Sequence, residues 1–306
     1  MPATHIATFA VRHYECDAYG HLNNANYIHY MEEAAFQAST AVGYSKARYE
    51  AMGTLWLARE TRIEYLAPLV YGDTVEVKTW VDDFRRVRSR RRYEFRRPGV
   101  DTLLAQAETD WVYLDATTQR PLVVPPEMIT AFAPEGLPET ATPRPKFPAL
   151  PPVPPAPYSF RRKVEWRDID TAQHVNNAAY FHYLEETGVE AAAHFGWSMR
   201  RCAEAGFGII AREIHIEYRL PALLGDSLEI ETFVSDLKRS NAVRNYQVRR
   251  GTDVLAQART RFVWVDLATG RPIRIPTEPA DRSASPLNLP RRSPGISLRK
   301  GPVNSA

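Results

Sequence analysis

A chain of 306 residues, 44% apolar and 25% charged, is long enough for two globular domains and too ordinary in composition for a fibre or a disordered protein. A net charge of +3 without a long lysine run gives no reason to expect a nucleic-acid partner, and no stretch approaches the roughly 18 apolar residues of a membrane span. The first residues lack a basic segment followed by an apolar run, so the expected location is cytoplasmic, and Cys16 and Cys202 are expected to be free thiols.

Residues 5–14 have strand character. Residues 25–42 predict a helix, being free of Pro and Gly, rich in Ala and Glu, and stopped by Gly43, with Asn23 or Asn24 as its N-cap. A short helix is expected at 45–52. Strand-like runs follow at 56–66, 74–84, 87–97 and 103–115, punctuated by Gly72-Asp73, Pro98-Gly99 and residues 117–120. One strand, a long helix and then an antiparallel set of strands is an α+β pattern, with the sheet curling around the helix. Ten of the 24 prolines fall in residues 134–157, a density that predicts a semi-extended linker. The pattern then returns, with a helix at 177–195 before Gly196 and strands from 209 to 266. The Ser, Pro, Arg and Gly of 278–306 predict a disordered basic tail.

The return is a duplication. Asp17, His21, Asn23, Asn24, Ala25, Tyr27, His29 and Tyr30 recur 153 positions later as Asp170, His174, Asn176, Asn177, Ala178, Tyr180, His182 and Tyr183. Ala58-Arg59-Glu60 recurs as Ala211-Arg212-Glu213, Glu64-Tyr65 as Glu217-Tyr218, and Gly72-Asp73 as Gly225-Asp226. Asp115 recurs as Asp266, only 151 positions on, so two residues are lost in a turn near Pro98. The period has the size of a small domain, giving copies at 1–133 and 158–277. Loops tolerate substitution better than cores do, so polar loop residues kept in both copies point to a duplicated chemical site.

The pattern Asp-x-x-Gly-His-x-Asn-Asn-x-x-Tyr opening a long helix resembles the hotdog-fold acyl thioesterases of the 4-hydroxybenzoyl-CoA thioesterase type. The second copy, with Gln173 before His174, is similar to the fatty acyl-ACP thioesterases, themselves tandem hotdogs. The resemblance implies tandem hotdog domains docked as a pseudo-dimer, hydrolysis of acyl thioesters, and two sites at the interface between copies. Acyl-CoA is favoured over acyl carrier protein as the partner. It places Asp17 and Asp170 as nucleophile or general base, with His21 and His174 orienting carboxylate or thioester. The backbone N–H groups of Asn24 and Asn177, beside the capping residues Asn23 and Asn176, become the oxyanion donors. A carboxylate at a helix N-terminus suits this chemistry, because exposed N–H groups face the developing negative charge. Members of the acyl-ACP group carry Asn two residues after the aspartate, where this chain has Tyr19 and Ala172. That departure favours an Asp-centred mechanism.

Each assignment has a structural alternative. An Asp before a helix is also a turn former. His29 and His182 read as structural, and Tyr27 and Tyr180 either pack or line the acyl pocket. Glu64 and Glu217 read as salt-bridge residues. Arg85, Arg86, Arg88, Arg90, Arg91 and Arg92 either hold coenzyme A phosphates or an acidic carrier, or form a solvated sheet edge. No cofactor or metal is expected, the pantetheine arriving as part of the substrate. The alternatives to hydrolysis are acyl-thioester hydration or dehydration and non-catalytic binding of acyl thioesters. Further homo-oligomerisation is left open.

Overall fold

The computed structural model describes residues 2–137, 144 and 146–276; the expected tail at 278–306 lies outside the described residues. Copy one comprises β1 (Thr4–Ala10), α1 (Asn24–Ala41), α2 (Lys46–Ala51), β2 (Thr54–Tyr65), β3 (Thr74–Arg85), β4 (Arg88–Arg96), β5 (Leu103–Asp115) and α3 (Pro126–Phe132). Copy two comprises β6 (Tyr158–Lys163), α4 (Asn177–His194), α5 (Met199–Glu204), β7 (Phe207–Tyr218), β8 (Ser227–Ser235), β9 (Asn241–Arg250) and β10 (Asp253–Asp266). The β9–β10 turn is a tight Gly251-Thr252 where copy one spends residues 97–102; with β9 and β10 each one residue longer at this end, the net loss is the two residues by which the offset changes.

The ten strands of the described residues form one antiparallel sheet in the order β1-β3-β4-β5-β2-β7-β10-β9-β8-β6. The copies meet at its centre, where β2 pairs with β7 from Glu60 opposite Glu217 to Glu64 opposite Glu213. The result is the tandem hotdog pseudo-dimer expected. Alternation along the strands sends Val75 and Val77 of β3, Tyr93 and Phe95 of β4 and Ala105 and Ala107 of β5 into the core. They meet Ala25, Tyr27, Ile28, Met31 and Ala34 of α1, and the small residues let the helix lie close to the sheet. The same core continues through Ala178, Tyr180, Phe181 and Leu184 of α4, so one hydrophobic interior serves both copies.

The repeated pairs outside the motif are explained by this joint. Arg59 and Arg212 are the extra residues of matching β-bulges. Arg59 Nη1 donates to the Tyr218 carbonyl at 2.6 Å and Arg212 Nη1 to the Leu66 carbonyl at 2.8 Å, each reaching into the other copy. Glu217 pairs with Arg59 at 3.0 Å, and Glu64 lies 3.7 Å from Arg261, so both glutamates are salt-bridge residues of the joint. The linker, among its described residues 134–137, 144 and 146–157, contains neither helix nor strand. It touches both halves: Arg144 Nε donates to Asp83 of β3 at 2.6 Å, while the Phe147 ring meets His215 of β7 at 4.8 Å.

Candidate active site

The two motif loops share one backbone design. Each aspartate carboxylate accepts local N–H groups through Oδ1: from Tyr19 at 2.9 Å and His21 at 3.1 Å in Asp17, and from Ala172 at 2.8 Å in Asp170. The loop then turns through a left-handed residue, Gly20 (φ 78°) or Gln173 (φ 63°). Asn23 and Asn176 cap the long helices, accepting from Ala25 at 2.9 Å and Ala178 at 2.8 Å. The aspartates are therefore turn formers with one oxygen. The other oxygen takes no hydrogen bond among the described residues and stays available for chemistry.

At the head of each helix the N–H of Asn24 or Asn177 has no acceptor among the described residues. The hydroxyl of Tyr218 donates to the Asn177 carbonyl at 3.1 Å, and Tyr65 does the same for Asn24 at 3.2 Å, which fixes the first helical residue. That is the role of the repeated Glu-Tyr pairs.

The copies complete one another's loops. Asn176 Nδ2 donates to both carboxylate oxygens of Glu32 in α1, at 3.1 and 3.2 Å, and Asn23 Nδ2 donates to Glu185 in α4 at 2.7 Å. Asp17 thus faces copy two and Asp170 faces copy one. Burial raises the Asp170 carboxyl above its ordinary range, and the like charge of Glu32 raises it further. Burial likewise raises Glu185, with Asp17 adding to the effect.

The two sites then diverge. A cavity of about 750 Å³ lies between the copies at Asp170, lined by the whole loop 170–177 with Tyr180 and Tyr218 of copy two. Copy one contributes Glu32, Ala35, Phe36 and Ser39 of α1, Lys46 and Tyr49 of α2, Leu55 and Trp56 of β2, and Arg91 and Trp111. At Asp17 the matching space is taken by Tyr19, which stands where copy two has Ala172. The half-buried Tyr19 ring reaches into copy two, its hydroxyl 3.8 Å from Met199 Sδ and against the backbone of Ile209. A Cβ on Gly208 would lie 3.3 Å from that ring. Met199, Gly208 and Ile209 are the counterparts of Lys46, Leu55 and Trp56, all three of which line the open cavity. Gly188 replaces Ala35, and a Cβ there would stand 2.9 Å from the Tyr246 hydroxyl, so the inner end is narrowed as well.

Of the residues expected at the sites, Asp170, His174, Asn176, Asn177 and Tyr180 come together on the cavity, whereas Asp17, His21, Asn23, Asn24 and Tyr27 do not line it. Two sites at the interface between copies were expected; the side chain two residues after Asp17 makes them unequal. Tyr27 packs against the rings of Tyr65 and Phe95. His29 and His182 face each other across α1 and α4 with ring centroids 6.5 Å apart, and burial together with His29 lowers His182. Both nonetheless remain exposed at the surface of the joint, His29 Nδ1 lying 3.7 Å from Glu32.

The arginine run also differs from expectation. β4 is an interior strand, so the run is no sheet edge. On one face Arg90 and Arg92 share Asp82 at 2.9 Å each, Arg92 also takes Glu108 at 2.8 Å, and Arg88 lies 3.2 Å from Asp110. Sequence reasoning missed Glu32, whose signal was its recurrence as Glu185, and, although alternation sets Arg91 apart from Arg86, Arg88, Arg90 and Arg92, it missed that Arg91 lines the cavity.

The family model for the thioesterase-like superfamily matches residues 11–132 and 164–282, one match per copy, and the chain belongs to that superfamily. Acyl-CoA thioesterase YbgC of Haemophilus influenzae is 27% identical over 122 residues, 40% of this chain and 90% of that one. Long-chain acyl-CoA thioesterase FadM of Escherichia coli is 31% identical over 121 residues, 38% of this chain and 89% of that one. These relatives have the length of a single copy. The solved structure of the 12:0-ACP thioesterase from Umbellularia californica covers 85% of this chain and 93% of its own, with a TM-score of 0.70 at 21% identity, and shares the tandem fold.

Proposed function

We propose that the chain hydrolyses acyl thioesters, acyl-CoA in preference to acyl carrier protein, at one composite site centred on Asp170. The observation that carries this reading is the convergence at one cavity of a carboxylate with a free oxygen, an unpaired helix N-terminal N–H and a wall supplied by the other copy. The thioester carbonyl oxygen is placed at the Asn177 N–H, where the end of α4 adds its partial positive charge. Asp170 takes a proton from water as the oxygen adds to the carbonyl carbon, or attacks that carbon itself. The C–S bond then breaks and the thiolate leaves with the pantetheine arm, taking up the proton held by Asp170 where the aspartate acted as base; on the covalent route water then hydrolyses the mixed anhydride left on Asp170. The elevated basicity that burial and Glu32 give Asp170 suits a general base. His174 borders the same cavity and orients the thioester. Water is the only co-reactant this route needs. The preference for coenzyme A rests on the printed activities of the one-copy relatives.

The test is thiol release from a panel of acyl-CoA substrates. Asp170→Asn keeps the Oδ1 acceptor that holds the loop and removes the base, so kcat/KM should fall by about 10²- to 10⁴-fold. Asp17→Asn should change it by less than twofold. Undiminished turnover in folded Asp170→Asn would reject the assignment.

A further inference from the structure

Arg91 is the one arginine of the 85–92 run whose side chain lines the cavity beside Asp170. It shares the core-facing parity of Tyr93 and Phe95 and is only 6% exposed. Among the described residues no carboxylate lies within ion-pair distance of it. Its contacts are a long hydrogen bond from Nη1 to Thr79 Oγ1, at 3.4 Å, and the Phe132 ring, 5.5 Å below the guanidinium. A hydroxyl and a ring face are poor replacements for water around a cation, and a buried charge without a counter-ion is costly unless something else supplies one. Arginine keeps its charge at any physiological pH, so it cannot escape that cost by losing a proton.

Its place along the cavity says what supplies the counter-charge. Glu32, Ala35, Phe36 and Ser39 line the cavity at helical spacing, so the space runs along α1 for seven residues, about 10 Å. Glu32 marks the Asp170 end through Asn176. Ser39 marks the other: its hydroxyl lies 3.1 Å from that of Tyr49, which in turn sits in electrostatic contact with Arg91. Two further donors gather at this end. Ser89 is buried on the cavity wall, and the indole N–H of Trp111 lies near the Tyr93 hydroxyl without a hydrogen bond of normal geometry. An apolar corridor between Ala35, Phe36 and Trp56 thus joins a hydrolytic end to a cationic one.

We propose that Arg91 receives the distal end of the acyl group, and that the preferred substrates are thioesters whose acyl chain ends in a carboxylate, such as the mono-CoA esters of linear dicarboxylic acids. The proposal rests on thioester hydrolysis at Asp170. Charge-assisted hydrogen bonds to such a carboxylate supply the partner the fold withholds.

The experiment compares adipyl- and suberyl-CoA with hexanoyl- and octanoyl-CoA in the wild type, Arg91→Met, Arg91→Lys and Arg244→Met. Arg244 is the same strand position in copy two, beside Gly188 and Tyr246. The wild type should favour the dicarboxylic esters by about 10- to 100-fold in kcat/KM. Arg91→Met should abolish or invert that ratio through KM, Arg91→Lys should retain part of it, and Arg244→Met should leave it unchanged. Thermal melts establish that each variant is folded. Calorimetric binding of non-hydrolysable carboxyalkyl- and alkyl-CoA thioethers to the same proteins reads the Arg91 contact without any turnover. Equal binding of the two thioethers by wild type and Arg91→Met overturns the proposal, whether or not esters are cleaved. Loss of the preference in Arg244→Met as well would equally overturn it. Discrimination in binding without hydrolysis of any ester would overturn the thioesterase reading and leave the Arg91 site standing.

Discussion

Removing the Tyr19 ring should convert the closed site into a second binding site. Tyr19→Ala installs at the first loop the residue that the second loop carries at Ala172, and it vacates the space against Met199, Gly208 and Ile209. The groups needed to use that space are in place: a carboxylate oxygen of Asp17 without a hydrogen bond, the unpaired Asn24 N–H, and Glu185 held by Asn23 at 2.7 Å. A fully buried aromatic truncated to alanine costs about 3–5 kcal/mol. Tyr19 is half-buried, so about 2 kcal/mol is expected, which for a chain of 306 residues lowers Tm by about 3 °C. The Tyr246 hydroxyl still narrows the inner end, so the probe must carry a short acyl group, and butyryl-CoA thioether suits. Calorimetry should give one equivalent bound per chain in the wild type and two in Tyr19→Ala. In an Asp170→Ala background the same change should restore hydrolysis of short esters. A folded Tyr19→Ala that still binds one equivalent, and restores nothing, would refute the claim that this ring closes the site.

Three further outcomes follow from the same contacts. Because burial and Glu32 hold the Asp170 carboxyl above its unfolded value, the folded state binds more protons than the unfolded one between those two values. Stability is therefore lost as pH rises through that window; Asp170→Asn should raise Tm at neutral pH, by an amount that shrinks as pH falls through the same window and is gone below the ordinary aspartate range. Glu32→Gln keeps an acceptor for Asn176 but removes the like charge, so the acidic limb of the pH–kcat/KM profile should move to lower pH, by less than the burial contribution. An unmoved limb would disconnect Glu32 from Asp170. Gly208→Leu copies Leu55 of the open cavity and should crowd both Leu267, 3.0 Å from the new Cβ, and Tyr19, 3.3 Å from it, costing about 1–3 kcal/mol; combined with Tyr19→Ala only the Tyr19 share is relieved, so the two losses should fall short of additivity by about 0.5 kcal/mol in denaturant melts.

The sequence made the elements and the Asp-loop-helix motif readable because both are local. Helix ends at Gly43 and Gly196, caps at Asn23 and Asn176, and the turn at Gly72-Asp73 each follow from one residue's backbone preference. The fate of each site was not local. Tyr19 and Ala172 were visible as departures from the motif, but their consequence depends on what stands opposite in the other copy, Gly208 and Ile209 or Leu55 and Trp56. Glu32 was hidden among the glutamates of α1, since nothing in its spacing says which acid will face α4. In β4 the alternation of faces was readable, yet a dense arginine run suggests an exposed edge only while its counter-ions are unseen. Asp82, Glu108 and Asp110 sit on the neighbouring strands β3 and β5, and pairing them with Arg88, Arg90 and Arg92 requires the sheet order.

Fusion of the copies is what makes such inequality affordable. In a symmetric dimer of separate chains, a tyrosine at the position of Tyr19 would fill both sites at once, because each loop meets the same partner wall. Here the wall facing Tyr19 is α5 and the start of β7, while the wall facing Ala172 is α2 and the start of β2, and the four segments are free to differ. They differ in a coordinated way: Gly208 and Gly188 make room for Tyr19 and Tyr246 on one side, and Leu55 and Ala35 border empty space on the other. The features retained in both copies are those the shared sheet and helix ends need whichever site is open, namely the bulge arginines Arg59 and Arg212, the helix-pinning Tyr65 and Tyr218, and the caps Asn23 and Asn176. Retention of Asp17 belongs with them, since its Oδ1 holds the Tyr19 and His21 N–H groups in the loop that presents the closing ring.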